Sequence, residues 1–295
     1  MHRTALLVTA HGTVDSLDEI PAFLQIIRRG RPAPPELLDE VRAHYEAIGG
    51  RSPHLAWTSR VAEDLANALQ IRSQVAMRLW HPTIASVVPS LLAEGFDRVV
   101  SLPLAPYSVE IYHAPVAQAL SAAGLDPAQH LVRVDGYHLH PALIEVFATR
   151  LRSLLGHDAT RVIFTAHSLP MSVVTAGDPY PTLVRETAVA VANACNLPAP
   201  QWQLAYQSQG AVSGAWLGPT VSEALDQARA DGIQRVVFSP IGFLSDHVEI
   251  LYDLDIDAAS QCASRGLSYA RTATPNADDD LCAALCEILA PYLAP

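Results

Sequence analysis

Short apolar runs alternate along this chain with longer stretches in which apolar residues recur every three or four positions. The runs at 5–10, 74–79, 98–104, 161–166, 203–207 and 235–240 predict buried β-strands. Between them, 36–48, 60–69, 83–93, 180–194 and 220–230 carry the helical period and predict amphipathic helices, with one more at 278–293. Alternation of this kind implies an α/β fold of parallel sheets flanked by helices on both faces.

Two pairs of segments repeat one another in the same order. Leu6-Leu7-Val8-Thr9-Ala10-His11-Gly12 parallels Val162-Ile163-Phe164-Thr165-Ala166-His167-Ser168. Likewise, Glu94-Gly95-Phe96-Asp97-Arg98-Val99-Val100-Ser101-Leu102-Pro103 parallels Asp231-Gly232-Ile233-Gln234-Arg235-Val236-Val237-Phe238-Ser239-Pro240. Each half thus opens with a strand ending in Ala-His and later holds a Gly-x-x-Arg-Val-Val strand. The shared order predicts a duplicated α/β unit, with lobes at 1–145 and 146–295 and a C-terminal helix packing back on the first. Open parallel sheets bind ligands beyond the carboxyl ends of their strands. That rule predicts a cleft between the lobes with His11 and His167 at its mouth.

Composition narrows the partners. Half of the 295 residues are hydrophobic and 17% are charged, which is globular. A net charge of −11 argues against a nucleic-acid partner, since phosphate binding draws on Lys and Arg. No apolar run approaches the roughly eighteen residues needed to cross a bilayer. The N-terminal segment lacks the h-region and cleavage site of a signal peptide, so a cytoplasmic protein without membrane insertion is expected. Cys195, Cys262, Cys282 and Cys286 make neither a CxxC pair nor a zinc spacing and read as structural or free thiols. No GxGxxG, Walker A, GxSxG or HExxH motif anchors a nucleotide-dependent, hydrolase or zinc-protease reading.

Three places can carry chemistry. His167 ends an apolar strand; with an ordinary pKa near about 6.5 an imidazole there can move a proton or ligate a metal, and a hydrogen-bonded core histidine is the plainer alternative. After the strand at 235–240, a Gly-containing turn leads to Ser245 or Asp246 as N-cap of a helix bearing Glu249, Asp253 and Asp257. Steps of four residues turn about 400°, so these carboxylates form one slightly drifting stripe. It is either a solvated acidic face or a ladder of hard oxygen ligands for divalent cations. Arg28-Arg29-Gly30-Arg31 is the densest basic spot, either a surface cluster or a bidentate clamp for carboxylates.

With these segments in view, the chain resembles the ferrochelatases, which insert Fe2+ into a porphyrin in haem synthesis. The resemblance spans nearly the whole chain. It is carried by Tyr45-Glu46-Ala47-Ile48-Gly49-Gly50-Arg51-Ser52-Pro53, Leu102-Pro103-Leu104-Ala105-Pro106, Ala166-His167-Ser168-Leu169-Pro170, Gly177-Asp178-Pro179-Tyr180-Pro181, Tyr206-Gln207-Ser208, Trp216-Leu217-Gly218-Pro219 and Asp246-His247-Val248-Glu249-Ile250-Leu251-Tyr252-Asp253. It implies two similar Rossmann-like lobes around a porphyrin cleft, a lyase with porphyrin and divalent metal as substrates, and no required cofactor. The family's catalytic histidine falls on His167 and its glutamate on Glu249; Asp253 and Asp257 match the acidic positions that continue from it as metal contacts. The stretch from Ile27 to Pro32, with Tyr45 to Gly50, most resembles the soluble, monomeric bacterial enzymes that use coproporphyrin III. Arg28, Arg29, Ser52 and Tyr112 are then the candidates for propionate contacts, and the absence of a cysteine-bearing C-terminal extension implies no iron–sulfur cluster.

One departure stands out. Those relatives carry tyrosine where this chain has His11, which becomes either a nitrogen ligand to the inserted iron or a hydrogen-bonded substitute that leaves the metal alone. Protoporphyrin IX as substrate, a cobalt or nickel chelatase, and a non-catalytic haem carrier are the rival readings.

Overall fold

In the computed structural model, which describes residues 3–156, 159–210 and 214–293, the apolar runs form two sheets of parallel strands. The first comprises β1 (Thr4–Ala10), β2 (Arg72–Met77), β3 (Arg98–Pro103) and β4 (Leu131–Arg133), in the order β2-β1-β3-β4. The second comprises β5 (Thr160–His167), β6 (Trp202–Gln207), β7 (Arg235–Ser239) and β8 (Ser268–Arg271), in the order β6-β5-β7-β8. All neighbours run parallel. The short outer strands β4 and β8 escaped the sequence reading, because three or four residues are too few to show a periodicity.

Around the first sheet lie α1 (Ile20–Ile27), α2 (Pro35–Ala47), α3 (His54–Leu69), α4 (Ile84–Ala93), α5 (Glu110–Ala122) and α6 (Pro127–His130). Around the second lie α7 (Pro141–Arg152), α8 (Met171–Thr175), α9 (Tyr180–Ala194), α10 (Val221–Ala230), α11 (Val248–Leu251) and α12 (Ala259–Ser264); α13 (Asp279–Leu293) ends the described chain. The strands are apolar on both faces because both faces are covered. Ala5 and Leu7 of β1 pack with Val88 and Leu91 of α4 and Val116 and Leu120 of α5. Leu6 and Val8 are equally buried on the other side of the pleat, where α3 meets β1 and β2.

The repeat seen in the sequence survives at the level of register. The first pair of similar segments is offset by 156 residues and the second by 137. Those offsets convert Thr4↔Arg98 into Thr160↔Arg235, and both pairings occur. They also convert the Arg3 carbonyl, which accepts from the N–H groups of Asp97 and Arg98, into the Ala159 carbonyl, which accepts from Gln234 and Arg235. Gly95 and Gly232, in the turns before β3 and β7, share the left-handed conformation, with φ of +86° and +76°.

The described chain divides into one unit of residues 3–137 with 276–293 and another of 138–275. A division at 145/146 would cut α7, which packs on α9 of its own unit; the observed one falls just ahead of that helix. α13 belongs with the first unit, packing on α3. There the Tyr292 hydroxyl accepts from the Asp135 N–H at 3.0 Å and donates to its carboxylate at 3.1 Å.

Candidate functional site

In each unit the strand order reverses direction beside the first strand, and in such sheets the carboxyl ends around that reversal form the natural crevice. For the second unit this point lies between β5 and β7. β5 carries Phe164, Thr165 and Ala166 fully buried and delivers His167 as its last residue. The chain leaving β7 crosses directly over that end. The Gly242 N–H donates to the Thr165 carbonyl at 3.0 Å, and a Cβ at Gly242 would stand 2.6 Å from Ala166 Cα. Only glycine allows this approach, and it brings the following helix to His167.

His167 Nε2 lies 3.5 Å from Glu249 Oε1, with the two side chains 35% and 34% exposed. Nδ1 is bonded to the Ser168 carbonyl oxygen, which orients the ring so that Nε2 faces the glutamate. Burial alone would push the imidazole's pKa down. The Glu249 carboxylate, the Ser168 carbonyl and the Asp253 charge outweigh it and raise the pKa to about 9. The site therefore stores a proton on His167 at neutral pH.

Neither Ser245 nor Asp246 caps the helix. His247 does: it is extended, and its Nδ1 accepts from the Glu249 N–H at 3.2 Å. Burial drives its pKa down, so His247 is a neutral cap with its proton on Nε2. The expected single α-helix is also interrupted. α11 gives way to a π-helical stretch, Asp253–Ala258, before α12, and the Asp257 N–H reaches back five residues to the Tyr252 carbonyl at 2.9 Å. The packing explains the interruption. Ile250, Leu254, Ala258 and Cys262 all point into the core of the second unit, a strict spacing of four that overshoots an α-turn by about 40° per step. The wider π turn takes up the overshoot. Glu249, Asp253 and Asp257, each one residue earlier, keep the same phase.

Two residues at the end of β6 fasten this helix. Gln207 is buried and its Nε2 donates to the Glu249 carbonyl at 2.6 Å. Ser208 adopts φ +61°, an uncommon conformation for a residue with a side chain, and its hydroxyl donates to Asp253 Oδ2. Burial, reinforced by the Glu249 charge, raises the Asp253 pKa to about 7 even though Ser208 and His167 oppose the shift. Sequence reasoning included Gln207 and Ser208 in a motif but gave them no role, because the partner lies 42 to 45 residues away.

The second unit therefore assembles His167, Glu249 and Asp253, with Asp257 exposed further along and held by Gln261 Nε2 at 2.8 Å. Within the second unit, the residues expected to touch the metal (His167, Glu249, Asp253 and Asp257) do not form one cage. Among the described residues no three His, Cys, Asp or Glu side chains converge to hold a metal ion. Glu249, Asp253 and Asp257, in steps of four residues at about 1.5 Å per residue, span about 12 Å of helix, too far for all three to meet one ion at about 2.5 Å.

The other candidates belong to the first unit. His11 is exposed immediately after β1. Arg28 ends α1, with Nε donating to the Pro32 carbonyl at 3.2 Å, and the exposed Arg29 follows at φ +54°. Ser52 and Tyr112 are both buried, 3% and 4% exposed. Ser52 Oγ accepts from the His54 N–H at 3.4 Å at the head of α3, and Tyr112 sits inside α5.

Residues 3–292 match a family model described as Ferrochelatase. A protein named Ferrochelatase from Acidobacterium capsulatum is 36% identical over 310 aligned positions, covering 97% of this chain and 93% of that one. A protein named Coproporphyrin III ferrochelatase from Anoxybacillus flavithermus is 31% identical, covering 98% and 96%. Among solved structures, SirB from Bacillus subtilis with Fe3+ superimposes with a TM-score of 0.61 at 11% identity, covering 98% of this chain and 97% of that one; at that identity the likeness is one of fold.

Proposed function

The chain belongs to the ferrochelatase family, and from that premise we propose that it inserts Fe2+ into coproporphyrin III, with His167 and Glu249 moving the protons. The observation that carries the reading is the 3.5 Å approach of His167 Nε2 to Glu249 Oε1 at the carboxyl end of β5. A free porphyrin must shed two pyrrole protons as the dication enters, so the site needs groups that change protonation state near neutral pH. Asp253, at about 7, lies in that range, and His167, poised at about 9, lies just above it. An incoming dication repels the imidazolium and lowers its hold on the proton, which turns His167 into a base as the metal arrives. The imidazolium proton leaves to solvent, neutral His167 Nε2 then accepts one pyrrole proton, and the Glu249 carboxylate accepts the other.

Glu249, Asp253 and Asp257 are the metal's route. Their spacing along the helix passes a cation from oxygen to oxygen without trapping it, as a substrate metal requires. His11 would be a nitrogen ligand to the product iron; its exposure at the end of β1 supports this role. The basic turn at Arg28 and Arg29, with the relatives named for coproporphyrin III, supports a substrate with four carboxylates over one with two. Ser52 and Tyr112, buried in the same unit as the two arginines, complete the proposed set of propionate contacts. The protein works as a cytoplasmic monomer without a resident cofactor or iron–sulfur cluster; no helix among the described residues is long and apolar enough to cross a membrane.

The test is anaerobic turnover with Fe2+ and each porphyrin. Many equivalents of metalloporphyrin, formed faster from coproporphyrin III than from protoporphyrin IX, are expected. Product halting near one equivalent would mark a carrier, and a preference for protoporphyrin IX would overturn the substrate assignment.

A further inference from the structure

Five carboxylates occupy the stretch from Asp246 to Asp257, and they have different partners. Arg271, the last residue of β8, holds both oxygens of Asp255, Nε to Oδ1 at 2.6 Å and Nη2 to Oδ2 at 2.7 Å. Its Nη1 stands 3.7 Å from Asp246 Oδ1. The arginine side chain is only 13% exposed, so these contacts act in a poorly solvated setting. Tyr269 adds a hydroxyl donor to Asp255 at 3.0 Å, and Thr274 one to Asp246 at 2.7 Å. Of the remaining three carboxylates, Glu249 faces His167, Asp253 accepts from the Ser208 hydroxyl and Asp257 from the Gln261 amide.

The first unit shows the same device in a weaker form. Ser101↔Arg133 and Phe238↔Arg271 are equivalent pairings under the internal repeat. Arg133 ends β4 and binds Glu110, the first residue of α5, at 2.9 Å, with both side chains open to solvent. In each half an arginine at the end of the fourth strand reaches a carboxylate near the start of the helix after the third. In the second half that arginine is enclosed and takes two.

We propose that Arg271 is a positioning residue for metal delivery: by gripping Asp255 and standing beside Asp246 it weakens their pull on a divalent cation and leaves that pull to Glu249, Asp253 and Asp257. The inference rests on the reading of those three as the metal's route. Without Arg271, Asp255 and Asp246 become additional oxygen ligands a few residues from the route. A dication then settles beside the path rather than on it.

The experiment is calorimetric titration of the full chain with Co2+ alone, with kcat and porphyrin KM for metal insertion measured in parallel. Arg271→Met is expected to bind Co2+ about tenfold more tightly, or to take an additional equivalent, while kcat falls and the porphyrin KM holds. Arg271→Lys keeps the charge without the two-pronged grip and should move Co2+ binding part of the way back to the parent; Asp255→Asn combined with Arg271→Met should also move it back, by removing the carboxylate that Arg271 grips and leaving only Asp246 freed. Parent-like Co2+ binding in Arg271→Met, or failure of lysine to rescue, would overturn the proposal and leave Arg271 as a brace of the fold. If Arg271→Met does not fold, the lysine variant and the double variant carry the same decision. Glu249→Gln separates the two levels. Full turnover in that variant sinks the delivery route and this inference with it, whereas loss of turnover beside unchanged Co2+ binding in Arg271→Met sinks this inference alone.

Discussion

Replacing Glu249 by Gln keeps the shape of the side chain and removes its charge, and the titration of His167 should report the loss directly. A unit charge 3.5 Å from the imidazole is worth about 1 kcal/mol in water and about 5 kcal/mol at an effective dielectric of about 20. At about 1.4 kcal/mol per pH unit, this spans a fall of between about one and about three and a half pH units. Both side chains are about a third exposed, so solvent screening favours the lower end. His167, raised to about 9 in the parent, should then titrate between about 5.5 and about 8 in Glu249→Gln. NMR of the imidazole in the metal-free protein measures it. An imidazole still titrating near 9 in the variant would refute the reasoning, because some group other than Glu249 would be holding the proton.

Three further outcomes follow from the same geometry. Ser208→Ala removes the one hydroxyl donor to Asp253, so the carboxyl should titrate above its present value of about 7, visible in its carboxyl carbon shift against pH. His113 is buried between the Ser101 hydroxyl and the Val134 carbonyl, 3.0 Å from each, and burial lowers its pKa. With the folded value below the unfolded one of about 6.5, its contribution is present above that pH and lost as pH falls. His113→Gln should therefore cost about 1 to 3 kcal/mol in urea unfolding at pH 7 and less at pH 5. Gly242→Ala forces a methyl group against Ala166 and should cost about 1 to 3 kcal/mol of stability and turnover besides, whereas Gly266→Ala, with open space around it, should spare turnover.

The duplicated plan was legible because both rhyming segments are central strands, where burial on two faces imposes long apolar runs. His167 was legible for a related reason: a polar residue ending such a run has to sit at the sheet's edge. The helix after β7 was read only in part. Glu249, Asp253 and Asp257 emerged from their spacing, but the π turn did not, although the spacing held its signal. Ile250, Leu254, Ala258 and Cys262 repeat every four residues without a step of three, which a straight α-helix cannot keep on one face. The residues that fasten the helix were silent for a different reason. Gln207, Ser208 and Arg271 reach it across the sheet from β6 and β8, and no local pattern records such contacts. The burial of Ser52 and Tyr112 was not legible either, because a motif gives identity without burial.

The central claim is that the His167–Glu249 pair drives metal insertion. Turnover of Fe2+ and coproporphyrin III by the parent, His167→Ala and Glu249→Gln, with folding of each checked by circular dichroism, tests it most directly. Each substitution is expected to lower kcat by about a hundredfold or more while the variant stays folded. Full turnover by both folded variants would contradict the account.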